Sequence, residues 1–87
     1  MLFVTYFSYP PQNREAVQAR FKKTRGKPPE GVKMLGRWHA IGGGKGVHVC
    51  ECDDPIALAK WVQEWSDLLT LEVLPVLDDA SALKRIG

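Results

Sequence analysis

The sequence predicts a single α+β domain with the element order β-α-β-β-α-β. The chain has only 87 residues, and its apolar segments alternate between the two-residue period of strands and the three- to four-residue period of helices. Proline or glycine clusters separate these segments. A hydrophobic fraction of 45% and a charged fraction of 25% are typical of a globular protein rather than a disordered one. We therefore treat residues 1–87 as one domain.

The first strand and the first helix follow directly from local composition. Leu2–Tyr9 is apolar at nearly every position and rich in aromatic and β-branched residues, which predicts a strand covered on both faces. A pair of prolines ends it. Asn13 predicts the N-cap of a helix that runs to about Thr24, and Gly26 suits the position just beyond the helix end.

A glycine-rich hairpin occupies the middle of the chain. Residues 42–46 predict a turn between two strands, Val32–Ile41 and Val47–Cys52. Asp53 or Asp54 then predicts the N-cap of a second helix, with a proline in its first turn. This helix has one strongly apolar face, because its large apolar residues recur at three- and four-residue steps: Leu58, Trp61, Val62, Trp65 and Leu69.

The last strand completes a ferredoxin-like sandwich. Thr70–Asp78 predicts a strand, and Pro75 predicts that it lies at the sheet edge because proline lacks the N–H that an inner strand donates. A short helix ending near Ile86 follows. The order predicts a four-stranded antiparallel sheet with helices on one face. The first and last strands are apolar on both faces, but the helices cover only one face of the sheet. We therefore predict a homodimer in which a second copy covers the open sheet face.

The number of cysteines and the hydropathy of the sequence indicate the cellular compartment of the protein. Two cysteines, Cys50 and Cys52, are too few for a disulfide framework. The first residues lack the basic region of a signal peptide, and no apolar run approaches the ~20 residues that span a bilayer. These features predict a reduced, cytoplasmic, soluble protein without a membrane partner.

Charge is unevenly distributed along the chain. Residues 1–45 hold nine basic and two acidic residues, a net charge of +7, whereas residues 46–87 hold three basic and eight acidic residues, a net charge of −5. The split favours either an anionic ligand or head-to-tail attraction between copies, or it merely reflects solvated helix faces. Nucleic acid is a poor partner, because the acidic half would repel phosphate.

The segment Arg37-Trp38-His39 is the strongest candidate for chemistry. Strand alternation puts Arg37 and His39 on one face and Trp38 on the other. His39 suits a general base near neutral pH, and Arg37 suits a carboxylate or enolate anchor, so we predict both as catalytic. The alternative is a hydrogen-bonded histidine and a rim arginine at a dimer interface.

The register of the hairpin decides the partners of these two residues. A two-residue turn would pair His39 with His48 and Arg37 with Cys50. A five-residue loop would pair His39 with Val49 and Arg37 with Glu51, giving an ion pair, and we favour this register. In it, Glu51 either holds Arg37 structurally or orients a ligand.

A metal site on the third strand is not expected. His48, Cys50 and Cys52 share one strand face, but side chains along an extended strand spread over about 13 Å and cannot converge on one ion. Buried cysteines acting as small apolar residues explain the pattern better.

An aromatic pocket between helices and sheet is the candidate binding site. Trp61 and Trp65 lie one helical turn apart and point toward the sheet, where Tyr6, Trp38 and Phe21 would join them. Ser66, at the end of the same helix, would lie near the pocket mouth. The alternative is that the tryptophans simply fill the core.

Four segments together resemble a known family of short bacterial proteins: Met34–His39, Gly42–Gly44, Trp61–Leu69 and Glu72–Asp79. They are similar to the DUF3303 family, a domain of unknown function that resembles the dimeric α/β-barrel superfamily with its ferredoxin-like fold. The resemblance covers nearly the whole chain and implies a fold and a dimer. It implies no catalytic residue, because the superfamily includes cofactor-free monooxygenases, haem enzymes, isomerases and ligand-binding regulators.

Two functional hypotheses follow. The first is a homodimer that binds or transforms a small aromatic or acidic molecule in a pocket between sheet and helices. No cofactor motif is present, so no cofactor is expected. The second is a non-catalytic interaction or regulatory module, in which the tryptophans are core and His39 belongs to the dimer interface.

Overall fold

The predicted order of elements is confirmed. A computed structural model describes residues 1–87. The chain forms the strand β1 (Leu2–Ser8), a short 3₁₀ turn (Pro11–Asn13), the helix α1 (Arg14–Thr24), the strands β2 (Val32–His39) and β3 (Lys45–Cys52), the helix α2 (Pro55–Trp65), the strand β4 (Thr70–Val76) and the helix α3 (Asp79–Ile86). None of the helices has the length and apolar character needed to cross a membrane.

The sheet has the ferredoxin-like topology. Its strand order is β2-β3-β1-β4, and every neighbouring pair is antiparallel. β4 pairs only with β1, so Pro75 lies on an edge strand as predicted. The edge position tolerates a residue that cannot donate a ladder hydrogen bond.

Side-chain caps start the second and third helices. Asp54 Oδ1 accepts a hydrogen bond from the Ile56 N–H at 2.9 Å, and Asp78 Oδ1 accepts one from the Ser81 N–H at 2.8 Å. α1 differs: its N-cap residue Asn13 makes no cap hydrogen bond and instead donates from Nδ2 to the Leu68 carbonyl at 3.0 Å. That bond ties the start of α1 to the loop after α2.

Both predicted registers of the β2–β3 hairpin are wrong. Arg37 pairs with His48, and His39 pairs with Gly46. The turn sets this register. The strands close at a hydrogen bond of 2.9 Å from the Ala40 N–H to the Lys45 carbonyl, which leaves a turn of residues 41–44 and places Arg37 opposite His48 rather than Glu51. Farther from the turn, the pairing shifts by one residue between Met34 and Gly36.

The core lies between the sheet and α2. Its buried members are Val32, Cys50, Cys52, Leu58 and Trp61. Both cysteines are free. Burial, with the nearby Cys52, raises the pKa of the Cys50 thiol, so it packs as an apolar group. Only ten of the 87 residues are buried, so an isolated subunit has a small core.

Gly46 is required because atoms of the neighbouring strands β1 and β2 occupy the space that a side chain would need. A Cβ atom at this position would collide with the Phe7 ring and with the Trp38 carbonyl oxygen. Because the backbone cannot move aside cheaply, we expect Gly46→Ala to lower the free energy of unfolding by about 1–3 kcal/mol in urea titrations. The control is Gly42→Ala, where a Cβ meets nothing within 4 Å. Equal stability of the two variants would contradict the close packing at Gly46.

Candidate active site

The two faces of the sheet have different surroundings. Thr5 and Phe7 of β1 and His48 of β3 point toward the helices and are buried. The alternate positions point to the open face, where Tyr6 and Trp38 are 51% and 59% exposed. The candidate site lies on the helix-covered side.

A cavity of about 380 Å³ opens between the sheet and helices α1 and α2. Residues from most elements of the fold line it: Phe7, Tyr9, Val17, Gln18, Phe21, Lys22, Gly26, Arg37, His39, Gly43, His48, Trp61, Val62, Trp65, Leu69 and Leu71. The lining is mainly apolar and aromatic. Its charged members, Lys22 and Arg37, are both basic, and it contains no aspartate or glutamate.

His48 and Trp61 form one wall. Their rings pack 5.0 Å apart, tilted by 32°. His48 is only 6% exposed, and its Nδ1 has no hydrogen-bond partner. Burial, helped by the positive charge of Arg37, lowers the pKa of His48 to about 4, so its imidazole is neutral at pH 7.

Phe21, on α1, contacts both Arg37 and His39 in the cavity wall. The guanidinium of Arg37 lies 5.0 Å from the centre of the Phe21 ring, and the His39 ring meets the same phenyl ring edge-on at 5.4 Å. His39 also meets the Phe7 ring edge-on at 5.7 Å. His39 is therefore held between two phenyl rings while remaining exposed at the opening.

Arg37 is fixed by the end of α1. It donates to the carbonyl oxygens of Gly26 and Arg25, both at 2.8 Å. These carbonyls follow the helix C-terminus, where the helix dipole favours a cation. Burial lowers the pKa of Arg37 from its usual value, but an arginine stays charged in any ordinary buffer.

An ion pair clamps α1 to the end of α2 beside the cavity. Arg20 donates to both carboxylate oxygens of Asp67, at 2.8 and 2.7 Å, and its guanidinium lies 5.1 Å from the Trp65 ring centre. The same arginine donates to the Glu64 carbonyl at 3.0 Å. The hydrogen bond from Arg20 lowers the pKa of Asp67. Arg20 thus helps to hold Trp65 against the cavity.

The structure brings some of the predicted site residues together. Arg37, His39, Trp61 and Trp65 all line the cavity, and so does Phe21. Their predicted chemical roles are not tested by this placement.

The other predicted site residues lie elsewhere. The prediction that Tyr6 and Trp38 line the pocket under the helices is wrong, because both point to the open face. They border a separate groove at the end of the sheet, which His39 also lines. Glu51 is also absent from the cavity lining: it is exposed and pairs with Lys33. Ser66 is exposed outside the cavity and donates from Oγ to the Gln63 carbonyl at 2.8 Å.

His48 is the cavity residue that the sequence interpretation passed over as a ligand contact. The sequence marks it only as a possible strand partner of His39 and as one of three residues, with Cys50 and Cys52, on one strand face. A usable signal was present. His48 shares its strand face with Cys50 and Cys52, so the predicted burial of the cysteines also implied burial of the histidine.

Comparisons with known proteins support the fold more than any function. The profile of the family described as Domain of unknown function (DUF3303) matches residues 1–87. The chain is similar to the solved structure of Rv0793 from Mycobacterium tuberculosis, at 20% identity and a TM-score of 0.53, with 91% of this chain and 96% of that one covered. At that identity the similarity supports the fold alone.

Two further similarities are weaker. A protein from Deinococcus radiodurans, described as a candidate antibiotic biosynthesis monooxygenase, has 9% identity and a TM-score of 0.49, with 90% of this chain and 94% of that one covered. MupZ from Pseudomonas fluorescens has 19% identity and a TM-score of 0.42, with coverages of 98% and 78%. Neither carries an argument about this chain. No curated protein matches the sequence.

Proposed function

Because the chain belongs to the DUF3303 family, a family defined without a function, we propose a function from the cavity itself: the protein binds a small aromatic anion between the sheet and the helices α1 and α2. The observation that carries this proposal is an aromatic cavity whose charged lining residues are all basic. Its volume of about 380 Å³ falls within the range of small-molecule sites, which is about 300–1,000 Å³.

The aromatic walls supply most of the contact area for such a ligand. Trp61, Trp65, Phe7 and Phe21 come from three separate elements and surround one space. A flat ring inserted there would meet aromatic faces and edges, which attract it more than aliphatic walls of equal area would. A molecule the size of a naphthalene fits this description.

Arg37 anchors the anionic group. Two of its five N–H donors are held by the Gly26 and Arg25 carbonyls, which leaves donors for a carboxylate or sulfonate. Because the guanidinium is already fixed, binding costs little side-chain entropy. Lys22 adds a second positive charge to the cavity lining. His39, at the opening, is the group proposed to exchange a proton with the bound molecule if that molecule is transformed.

The test of this proposal uses 1-naphthalenesulfonate, an aromatic anion that stays ionised at all working pH values. We expect quenching of tryptophan fluorescence as it enters the cavity. Arg37→Gln is expected to weaken binding by about 10- to 100-fold, since a charge-assisted hydrogen bond contributes about 1.5–3 kcal/mol. The matched control is Lys33→Gln, which removes the same charge from the open face. Equal losses in both variants would mean that the probe responds only to net charge.

We further propose that the protein is a homodimer whose subunits meet through the open sheet face. Large apolar side chains are exposed on or beside this face: Tyr6, Leu35, Trp38 and Leu74 are each 41–59% exposed. Its polar residues include both charges: Lys33 lies opposite Glu51, and Lys45 and Glu72 line the same groove. A patch that is apolar and carries both signs of charge is self-complementary, which suits a two-fold interface with a second copy. The free thiols of the core favour a reducing, cytoplasmic location.

The second candidate function is a non-catalytic interaction module, in which the open sheet face is the only binding surface. The exposed apolar face favours it to the same extent as it favours the dimer. The cavity separates the two functions: a module without a ligand gives no saturable response to 1-naphthalenesulfonate, whereas the ligand-binding dimer does.

A further inference from the structure

His48 occupies an unusual position in the cavity wall. It is 6% exposed, lies against Trp61 and lines the cavity, yet Nδ1 makes no hydrogen bond. Buried polar atoms nearly always have partners, so an unpartnered ring nitrogen needs an explanation. Nδ1 is sealed from solvent, whereas Nε2 is not among the sealed unpartnered atoms. We infer that Nε2 is the nitrogen that a bound molecule can reach.

Two cross-strand neighbours flank this imidazole. Arg37 of β2 pairs with His48 on one side, and Thr5 of β1 pairs with it on the other. Directly opposed residues in antiparallel strands have Cβ atoms about 4.5–5.5 Å apart. Thr5 is fully buried, and its Oγ1 also has no partner. His48 therefore lies between a fixed cation and an unused hydroxyl group.

The cavity lining disfavours a charged imidazole. The groups that face His48 or share its cavity are Arg37 and His39 from β2, Lys22 from α1, Tyr9 after β1, and Cys50 on its own strand. None of them is a carboxylate. Burial and the charge of Arg37 keep the pKa of His48 near 4, so it enters any binding reaction neutral.

We propose, on the basis of the anion-binding function above, that Arg37 and His48 hold the anionic group of the ligand together and that His48 takes up one proton from solvent as the anion binds. A neutral imidazole carries one N–H, and the added proton gives it two. Nε2–H then donates to the ligand anion, and Nδ1–H donates to Thr5 Oγ1. Both unpartnered buried atoms gain a partner in the same step.

The direction of the pH dependence follows from the charges. An anion beside Arg37 offsets the positive field at His48 and pairs with the imidazolium, so the pKa of His48 rises on binding. A group whose pKa is higher in the complex strengthens binding below that higher value, and the gain is lost as the pH rises through it. The affinity for an anion is therefore expected to increase by about tenfold as the pH falls from 7.5 to 5.5.

The experiment is calorimetric titration of the whole chain with 1-naphthalenesulfonate at pH 5.5, in two buffers of different ionisation enthalpy. The sulfonate does not titrate, so any proton taken up goes to the protein. We expect uptake of roughly 0.5 to 1 proton per bound probe in the unaltered chain and none in His48→Gln. In His39→Gln the number of protons per bound probe should persist, whatever its affinity. Thr5→Val should reduce the uptake, and Thr5→Ser should restore it.

A spectroscopic measurement keeps the test independent of variant folding. In the ¹⁵N-labelled unaltered chain at pH 5.5, the ring nitrogens of His48 should change from a neutral to an imidazolium pattern when the probe is added. Binding without proton uptake, or uptake that disappears in His39→Gln but not in His48→Gln, would overturn the role of His48 and leave the anion site standing. Absence of any binding would overturn the proposed function itself.

Discussion

Replacing Trp61 with alanine is expected to lower the free energy of unfolding by about 3–5 kcal/mol. Trp61 is 5% exposed, belongs to the core cluster of α2 and forms the wall on which His48 packs. A domain of this kind is stable by only about 5–15 kcal/mol, so the variant should be close to unfolding at 37 °C. Urea denaturation followed by circular dichroism measures the difference.

The control for this change lies on the same helix. Ile56 is 61% exposed, so Ile56→Ala removes a large apolar side chain from α2 without opening the core. Its cost should stay below about 1 kcal/mol. If Trp61→Ala were no more destabilising than Ile56→Ala, Trp61 would not be a core residue, and the cavity wall would be mobile.

The element order was predictable because local chemistry marks each boundary. The proline pair after β1, the glycine turn at 42–44 and the aspartate before Pro55 each favour one backbone conformation, whatever the rest of the chain does. The edge position of Pro75 follows from the missing N–H alone. Such signals depend on single residues and their immediate neighbours.

The hairpin register was not predictable in the same way. The ladder closes at Ala40 and Lys45, and this closure sets every pair from the turn back to Gly36, although the glycines at 42–44 suit several loop lengths. The one-residue shift between Met34 and Gly36 changes only the pairs beyond it, and no residue type announces it. The consequence for the site is direct. Arg37 faces His48 and the end of α1 rather than Glu51, so the expected ion pair is absent and the guanidinium lines the cavity without a carboxylate partner.

The alternation of residues along β1 also does not reveal which face of the strand meets the helices. β1 is apolar at nearly every position, so alternation groups Phe3, Thr5 and Phe7 together but does not say which set meets the helices. The polar Thr5 is fully buried, whereas Tyr6 is half exposed. The usual burial of the two residue types would rank them in the opposite order, because threonine is mostly exposed in proteins and tyrosine is more often buried. The sequence therefore wrongly favours Tyr6 in the cavity, and the prediction of Trp38 there conflicts with its alternation with Arg37 and His39.

Placing a charge at the centre of the open face should separate the proposed dimer. Val49 lies on β3 between Val4 and Gly36, and it points away from the helices because His48 and Cys50 on either side are buried beneath them. Val49→Asp would bury an unpaired carboxylate between two sheets. We expect a loss of at least about 3 kcal/mol, a dissociation constant raised by roughly 100-fold or more.

Sedimentation at micromolar concentration measures this effect, because the dimer has twice the 9.7 kDa mass of one chain. Ala59→Asp is the matched control, since it adds the same charge on the exposed side of α2. The control should sediment with the unaltered protein, and Val49→Asp as a single folded chain. An unaltered protein that sediments as a single chain would refute the interface, and its apolar face would then belong to a different partner. A dimer that survives Val49→Asp would place the contact elsewhere, and the exposed Leu83 and Ile86 of α3 would be the next surface to substitute.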